Sequence, residues 1–148
     1  ILSTLQSNAR LSNLELAKQV GLSASPCLRR VKSLEDTGII SGYSAIIDQN
    51  KVDLSVNVFV QVSLERQTED HLEIFEEKIK EYSEVMEAYL MTGEADYLLR
   101  IVVKDLEKYE LFLKENLTRI PGVSSIRSYF SLKQVIKKYS LPLKHPKE

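Results

Sequence analysis

Apolar positions follow two rhythms along this chain. From Leu11 to Ile40 they recur three or four residues apart, as on one side of a helix. From Val56 they alternate: Val56, Val58, Val60, Val62 and Leu64 are interleaved with Asn57, Phe59, Gln61 and Ser63, which predicts a half-buried strand. Ile1 or Leu2, Leu5 and Ala9 already stand in helical register, so the sequence is expected to open inside a first helix.

Ser12 followed by Glu15 has the spacing of a capping box and predicts a helix from Asn13 to about Val20, with Leu14, Ala17 and Val20 as its apolar stripe. Gly21 supplies the sharp exit. Ser23 is placed to cap a second helix, and Pro26 fits its first turn, where amides lack helical acceptors. At about 100° per residue, Ala24, Cys27, Leu28, Val31 and Leu34 gather on one side, with Ser25, Arg29, Lys32 and Ser33 opposite and Arg30 at the margin. This is a helix-turn-helix pattern. Asp36-Thr37-Gly38 stops the second helix. Ile39 to Ile47 then reads either as a hairpin around Ser41-Gly42, the wing of a winged helix, or as a plain strand leaving the domain.

After the strand at 56–64, Thr68 is placed to cap a helix bearing Leu72, Phe75, Ile79 and Tyr82. Val85 to Met91 and Tyr97 to Val103 read as strands joined by a tight connection, Thr92 to Asp96. Asp105 caps a further helix with Leu106, Tyr109, Leu113, Leu117 and Ile120, ended by Pro121-Gly122, and a last strand runs from about Val123 to Leu132. The order βαββαβ is that of a ferredoxin-like sandwich, giving an α+β protein. With both helices on one face, the other face is expected to be naked and apolar, through Phe59, Leu98 or Leu99, Val102 or Ile101, and Phe130 or Tyr129. Such a face marks a homodimer formed by sheet-to-sheet packing. The division is therefore 1–47 for the winged helix-turn-helix, 48–55 (DQNKVDLS) for a hinge, 56–138 for the sandwich and 139–148 for a flexible, partly ordered tail.

The formal charge of the 148 residues is -1, and residues 1–48 carry five cations against four carboxylates. DNA attraction must therefore come from local clustering and several subunits acting together, not from the field of the whole chain. The second helix provides such a cluster. Arg29 has the fork that suits guanine, Arg30 and Lys32 can neutralise phosphates, and Ser23, Ser25 and Ser33 allow close approach. A solvated helix face is the plainer reading of the same charges. The one cysteine, Cys27, cannot form an internal disulfide and sits on the core stripe, as a small buried hydrophobe or, less simply, a redox sensor. No apolar run approaches the roughly 20 residues that span a bilayer, and no secretory signal is visible, so a cytoplasmic protein without a membrane partner is expected.

The segment ELAKQVGLSASPCLRRVKSLEDTGII, followed by TGEADYLLRIVV within a split sandwich, closely resembles the Lrp/AsnC, or feast/famine, regulators. SPCLRRVK and DYLL are most similar to the leucine-responsive branch. The resemblance covers nearly the whole chain. It implies a transcriptional regulator whose first domain binds double-stranded DNA. The second, the family's RAM domain, binds an amino-acid effector (leucine, methionine or another) and builds homodimers, then tetramers, octamers or larger assemblies. It also implies an effector pocket between dimers at the turn after the second strand, here Thr92, Gly93, Glu94, Asp96 and Tyr97. In it Gly93 lets the backbone approach the ligand, Asp96 pairs with its ammonium, and Tyr97 or Leu98 walls its side chain. Tyr129 and Ser131 are weaker members. Gly93 and Asp96 are equally the ordinary residues of a turn.

An enzyme is the main rival, but the sequence has no Gly-rich phosphate loop, no cysteine pair and only His71 and His145, so neither catalysis nor a cofactor or metal is expected. A regulatory module that binds amino acids without touching DNA is the alternative among binding proteins, and the basic second helix argues against it.

Overall fold

The computed structural model describes residues 1–143. The chain divides into two compact units, residues 1–46 with 135–143, and residues 47–134.

The first unit holds α1 (Leu2–Ser7), α2 (Asn13–Gln19) and α3 (Ala24–Asp36). Ser12 and Glu15 form the expected capping box: the Ser12 hydroxyl accepts the Glu15 N–H while the Glu15 carboxylate accepts the Ser12 N–H at 2.8 Å. Gly21 (φ 68°) turns the chain toward α3. Asn13 locks the two helices together, its Nδ2 donating to the Ala24 carbonyl at 2.8 Å. Leu16, Ala17 and Cys27 are buried, with Ile1, Leu5, Leu11, Val20, Leu22 and Val31 packed around them.

Two expected stripe residues lie elsewhere. Leu14 is 71% exposed and Leu28 58% exposed. The helix period explains both. Leu16, Ala17 and Val20 fit within about 100° of arc, with Leu14 about 160° from Leu16, while Leu28 stands about 100° from the fully buried Cys27. Ser23 occupies the N-cap of α3 without a side-chain cap bond.

The hairpin expected at Ile39–Ile47 does not form, since no residue of that stretch is paired as strand. Instead the Tyr43 hydroxyl donates to Glu35 Oε1 at 2.9 Å, tying the segment to the end of α3. The start of the tail is held in place: Leu141 N donates to Gln6 Oε1 at 2.6 Å, and Gln6 Nε2 donates to the Leu141 carbonyl at 3.3 Å, anchoring it on α1. His145 lies outside the described residues.

The second unit contains β1 (Val56–Leu64), α4 (Glu69–Lys80), β2 (Val85–Leu90), β3 (Tyr97–Val103), α5 (Leu106–Glu115) and β4 (Val123–Phe130). The strands form one antiparallel sheet in the order β2-β3-β1-β4. Val58, Val60, Val62, Leu64, Leu99, Ile101 and Val103 meet Phe75, Ile79, Tyr109 and Phe112 from the two helices in a single core. Full burial of each such side chain contributes about 1.5–3 kcal/mol. Asp105 caps α5 as expected, accepting the Lys108 N–H at 2.8 Å. Thr68 occupies the N-cap of α4 without a side-chain cap bond to the backbone; its hydroxyl lies 2.6 Å from His71 Nδ1. Leu106, expected on the apolar stripe of α5, is 63% exposed.

The sheet face without helices is less apolar than expected. Residues paired across strands share a face, so Asn57, Phe59 and Gln61 stand beside Leu98, Arg100 and Val102 on one side and Arg127 and Tyr129 on the other. Arg100 is central. Its guanidinium donates to Asn57 Oδ1 (3.2 Å) and Gln49 Oε1 (3.0 Å) and pairs with Glu87 (3.5 Å). Gln49 belongs to a short 3-10 turn, Gln49–Val52, within the stretch expected as a hinge, which therefore packs with this unit.

Candidate functional site

In the first unit the outward side of α3 carries Ser25, Arg29, Lys32 and Ser33, all exposed, with Ser23 at its start. Arg30 is also exposed, about 140° around the helix from Ser25, on the flank. Ion pairs among the described residues join Lys78 to Glu81, Lys80 to Glu77, Arg100 to Glu87 and Arg127 to Glu94. The three cations of α3 therefore have no carboxylate partner within the described residues. Burial of Cys27 and half-burial of Val31 fix the opposite side of the helix against α2. A rigid helix with unpaired cations and small hydroxyls outward can meet a polyanion without breaking an internal contact.

In the second unit the loop from Thr92 to Asp96 closes the β2-β3 hairpin, with Met91 N donating to the Asp96 carbonyl at 2.8 Å. Gly93 has φ 123°, a conformation that L side chains rarely adopt, and open space where a Cβ would stand, so the backbone requires the glycine and packing does not. The Asp96 carboxylate is partly committed: Oδ2 accepts the Leu64 N–H at 2.7 Å and the Gln67 amide at 3.5 Å. Glu94 reaches Arg127 at 3.7 Å on the rim of the open face.

The structure separates residues that the sequence grouped. Tyr97 and Leu98 point to opposite faces. Tyr97 is buried on the helix side, its ring 4.6 Å from that of Phe75 and its hydroxyl donating to Glu76 Oε1 at 2.7 Å. Burial, with Glu76 second, pushes its phenol well above the ordinary value. Leu98 stands on the open face near Gln61, to which the Tyr129 hydroxyl donates at 3.4 Å. Ser131 is elsewhere. Its N–H donates to the Asn57 carbonyl, at the start of β1, whereas the loop abuts the end of β1 at Leu64. Seven residues of strand place the two roughly 20 Å apart. One chain therefore gathers Glu94, Leu98 and Tyr129 along the open face, with Ser131 apart from them.

A feature absent from the sequence reading is a cleft of about 350 Å³ between α4 and the edge strand β2, lined by Ile79, Val85, Ala88, Leu90, Glu76 and Tyr97 among others. Alternation along β2 puts Ala88 and Leu90 on the helix side, but nothing in the sequence says that α4 leaves them half uncovered.

The sequence model of the Lrp/AsnC ligand binding domain matches residues 57–141, and that of a winged helix-turn-helix DNA-binding domain matches residues 1–41. The chain belongs to the Lrp/AsnC family. It is 50% identical over 143 residues to the Bkd operon transcriptional regulator of Pseudomonas aeruginosa, covering 97% of this chain and 94% of that protein. It is 41% identical over 144 residues to the leucine-responsive regulatory protein of Escherichia coli K12, covering 97% and 88%. Among solved structures, a transcriptional regulator of Neisseria meningitidis in complex with L-Met superposes with a TM-score of 0.92 at 40% identity, covering 97% and 93%. This Lrp/AsnC chain is a transcriptional regulator, built from a DNA-binding helix-turn-helix unit and a ligand-binding sandwich. No helix among the described residues is long and apolar enough to cross a membrane.

Proposed function

We propose that this Lrp/AsnC regulator inserts α3 into the major groove and that an amino acid bound to the sandwich sets how many such helices engage DNA at once. The observation that carries the first half is the outward face of α3, where Arg29 and Lys32 stand exposed and unpaired among the described residues beside Ser25 and Ser33. Arg29 forks onto a guanine edge, Lys32 and the flanking Arg30 neutralise phosphates, and Ser23, Ser25 and Ser33 keep the backbone close to the duplex.

The effector is a small amino acid, with leucine and methionine the first candidates: relatives include leucine-responsive proteins and a regulator solved with L-Met. Its site is built from Thr92, Gly93, Glu94 and Asp96 with Leu98, completed by Tyr129 and Ser131 where copies meet. Glu94 and the free oxygen of Asp96 accept the ammonium group, and Leu98 packs on the side chain. Tyr97 shapes the site from behind the sheet. The homodimer forms on the open face around Phe59 and Val102, and dimers assemble into tetramers, octamers or larger assemblies in the cytoplasm.

A ligand held between dimers acts only by binding one assembly better than another. Changing the number of α3 helices facing successive turns of DNA then changes avidity with every base contact intact. Sedimentation with and without leucine, methionine and other amino acids, paired with gel shifts on promoter DNA, tests this. A shift in size distribution accompanied by a change in DNA affinity is expected. Unchanged size and unchanged DNA binding across the panel reject effector control.

A further inference from the structure

Leu28 is the one large apolar side chain of α3 that stands exposed. It is 58% exposed, while the core of its unit is closed without it by Leu16, Ala17 and Cys27 and the residues packed on them. By helical geometry it stands about 40° from Lys32, about 60° from Ser25 and about 100° from Arg29, on the flank of the face that carries the unpaired cations. It also sits in the second turn of α3, and the N-terminal turns of a recognition helix are the part that reaches base edges.

The chemistry of this position differs from that of its neighbours. Arginine, lysine and serine recognise phosphates and hydrogen-bonding base edges, whereas an isobutyl group offers neither donor nor acceptor. In the major groove only one group complements it, the C5-methyl of thymine. We propose that Leu28 is a specificity-determining residue that packs on the methyl of one thymine in each half-site. The proposal rests on the reading of α3 as the groove-entering helix.

The test starts from duplexes selected by the full chain from a random-sequence pool. Each thymine is replaced singly by deoxyuridine, which removes the methyl and keeps every hydrogen-bonding group. One position per half-site is expected to weaken binding roughly three- to tenfold, the scale of one buried methyl group with its packing. Leu28→Ala is expected to bind thymine and deoxyuridine duplexes equally well, and Leu28→Met, which keeps an apolar side chain, to retain most of the methyl preference. Because the deoxyuridine scan uses the unmutated chain, it stands whatever the variants do to folding. Methyl-insensitive binding at every thymine overturns the role of Leu28, as does a methyl preference that persists in Leu28→Ala. In those cases a loss of affinity in Arg29→Ala still upholds α3 as the reading helix. Failure of the unmutated chain to enrich any sequence overturns both.

Discussion

The Asp96 carboxylate accepts the Leu64 backbone N–H at 2.7 Å and thereby joins the β2-β3 loop to the end of β1. The same side chain is proposed to face an effector ammonium, so its two oxygens have separate duties. Asp96→Ala removes the acceptor and leaves a partly buried amide unpaired, at a cost of about 1–3 kcal/mol. Asp96→Asn keeps a neutral acceptor for Leu64 but loses the charge. Thermal unfolding is expected to fall in the alanine variant and to stay close to the parent in the asparagine variant. Calorimetric titration with leucine or methionine is expected to show weakened binding in both.

Arg29 and Arg30 are adjacent in sequence and about 100° apart on α3, so they are expected to fail differently. Arg29→Ala is expected to cost about 1–3 kcal/mol on a selected duplex and to relax discrimination at one guanine. Arg30→Ala is expected to weaken all sequences alike and to reduce the salt dependence of binding by about one counterion. Gel shifts on selected and scrambled duplexes at several salt concentrations separate the two. Equal loss on every sequence for Arg29 would assign it to phosphate.

Much of this fold is written in local pattern. Alternation from Val56 to Leu64 marks β1, and the Ser12–Glu15 box marks the start of α2, because each depends on neighbours in the chain. Leu14 and Leu28 show the limit of that logic. A leucine near a helical stripe reads as core, but a unit with three buried residues has room for few, and a shift of about 100° around the axis decides which. The candidate effector group was legible as a list and not as a place. Neighbouring strand residues point to opposite faces, which parts Tyr97 from Leu98, and the extended register of β1 carries Ser131 far from Gly93. Contacts spanning the chain, such as Gln6 with Leu141 and Gln49 with Arg100, leave no trace in local spacing.

Cys27 is fully buried in the small core beneath α3. Cys27→Ser places a hydroxyl among Leu16, Ala17 and Val31 and is expected to destabilise the first unit by about 1–3 kcal/mol. DNA affinity should fall with it, since α3 is held by that contact, while amino-acid binding by the sandwich should not. Native-state labelling by a thiol reagent is expected to be slow and to become fast in denaturant. Rapid labelling of the folded protein would instead make Cys27 an accessible redox group.

Tyr97 links the sandwich to alkaline pH. Its phenol is raised by burial and by Glu76, so the folded protein holds that proton where the unfolded chain has released it. With more protons bound in the folded state, stability must fall as pH rises past the ordinary tyrosine value, and it must be flat around neutrality. Tyr97→Phe removes the titrating group along with the hydrogen bond to Glu76. Its expected signature is a loss of about 0.5–1.5 kcal/mol near pH 7 together with a shallower decline in alkali. Tyr109, raised mainly by burial, retains part of the decline in that variant. Denaturant midpoints measured from pH 7 to pH 11 give both quantities, and an alkaline decline as steep in Tyr97→Phe as in the parent would place the responsible proton elsewhere.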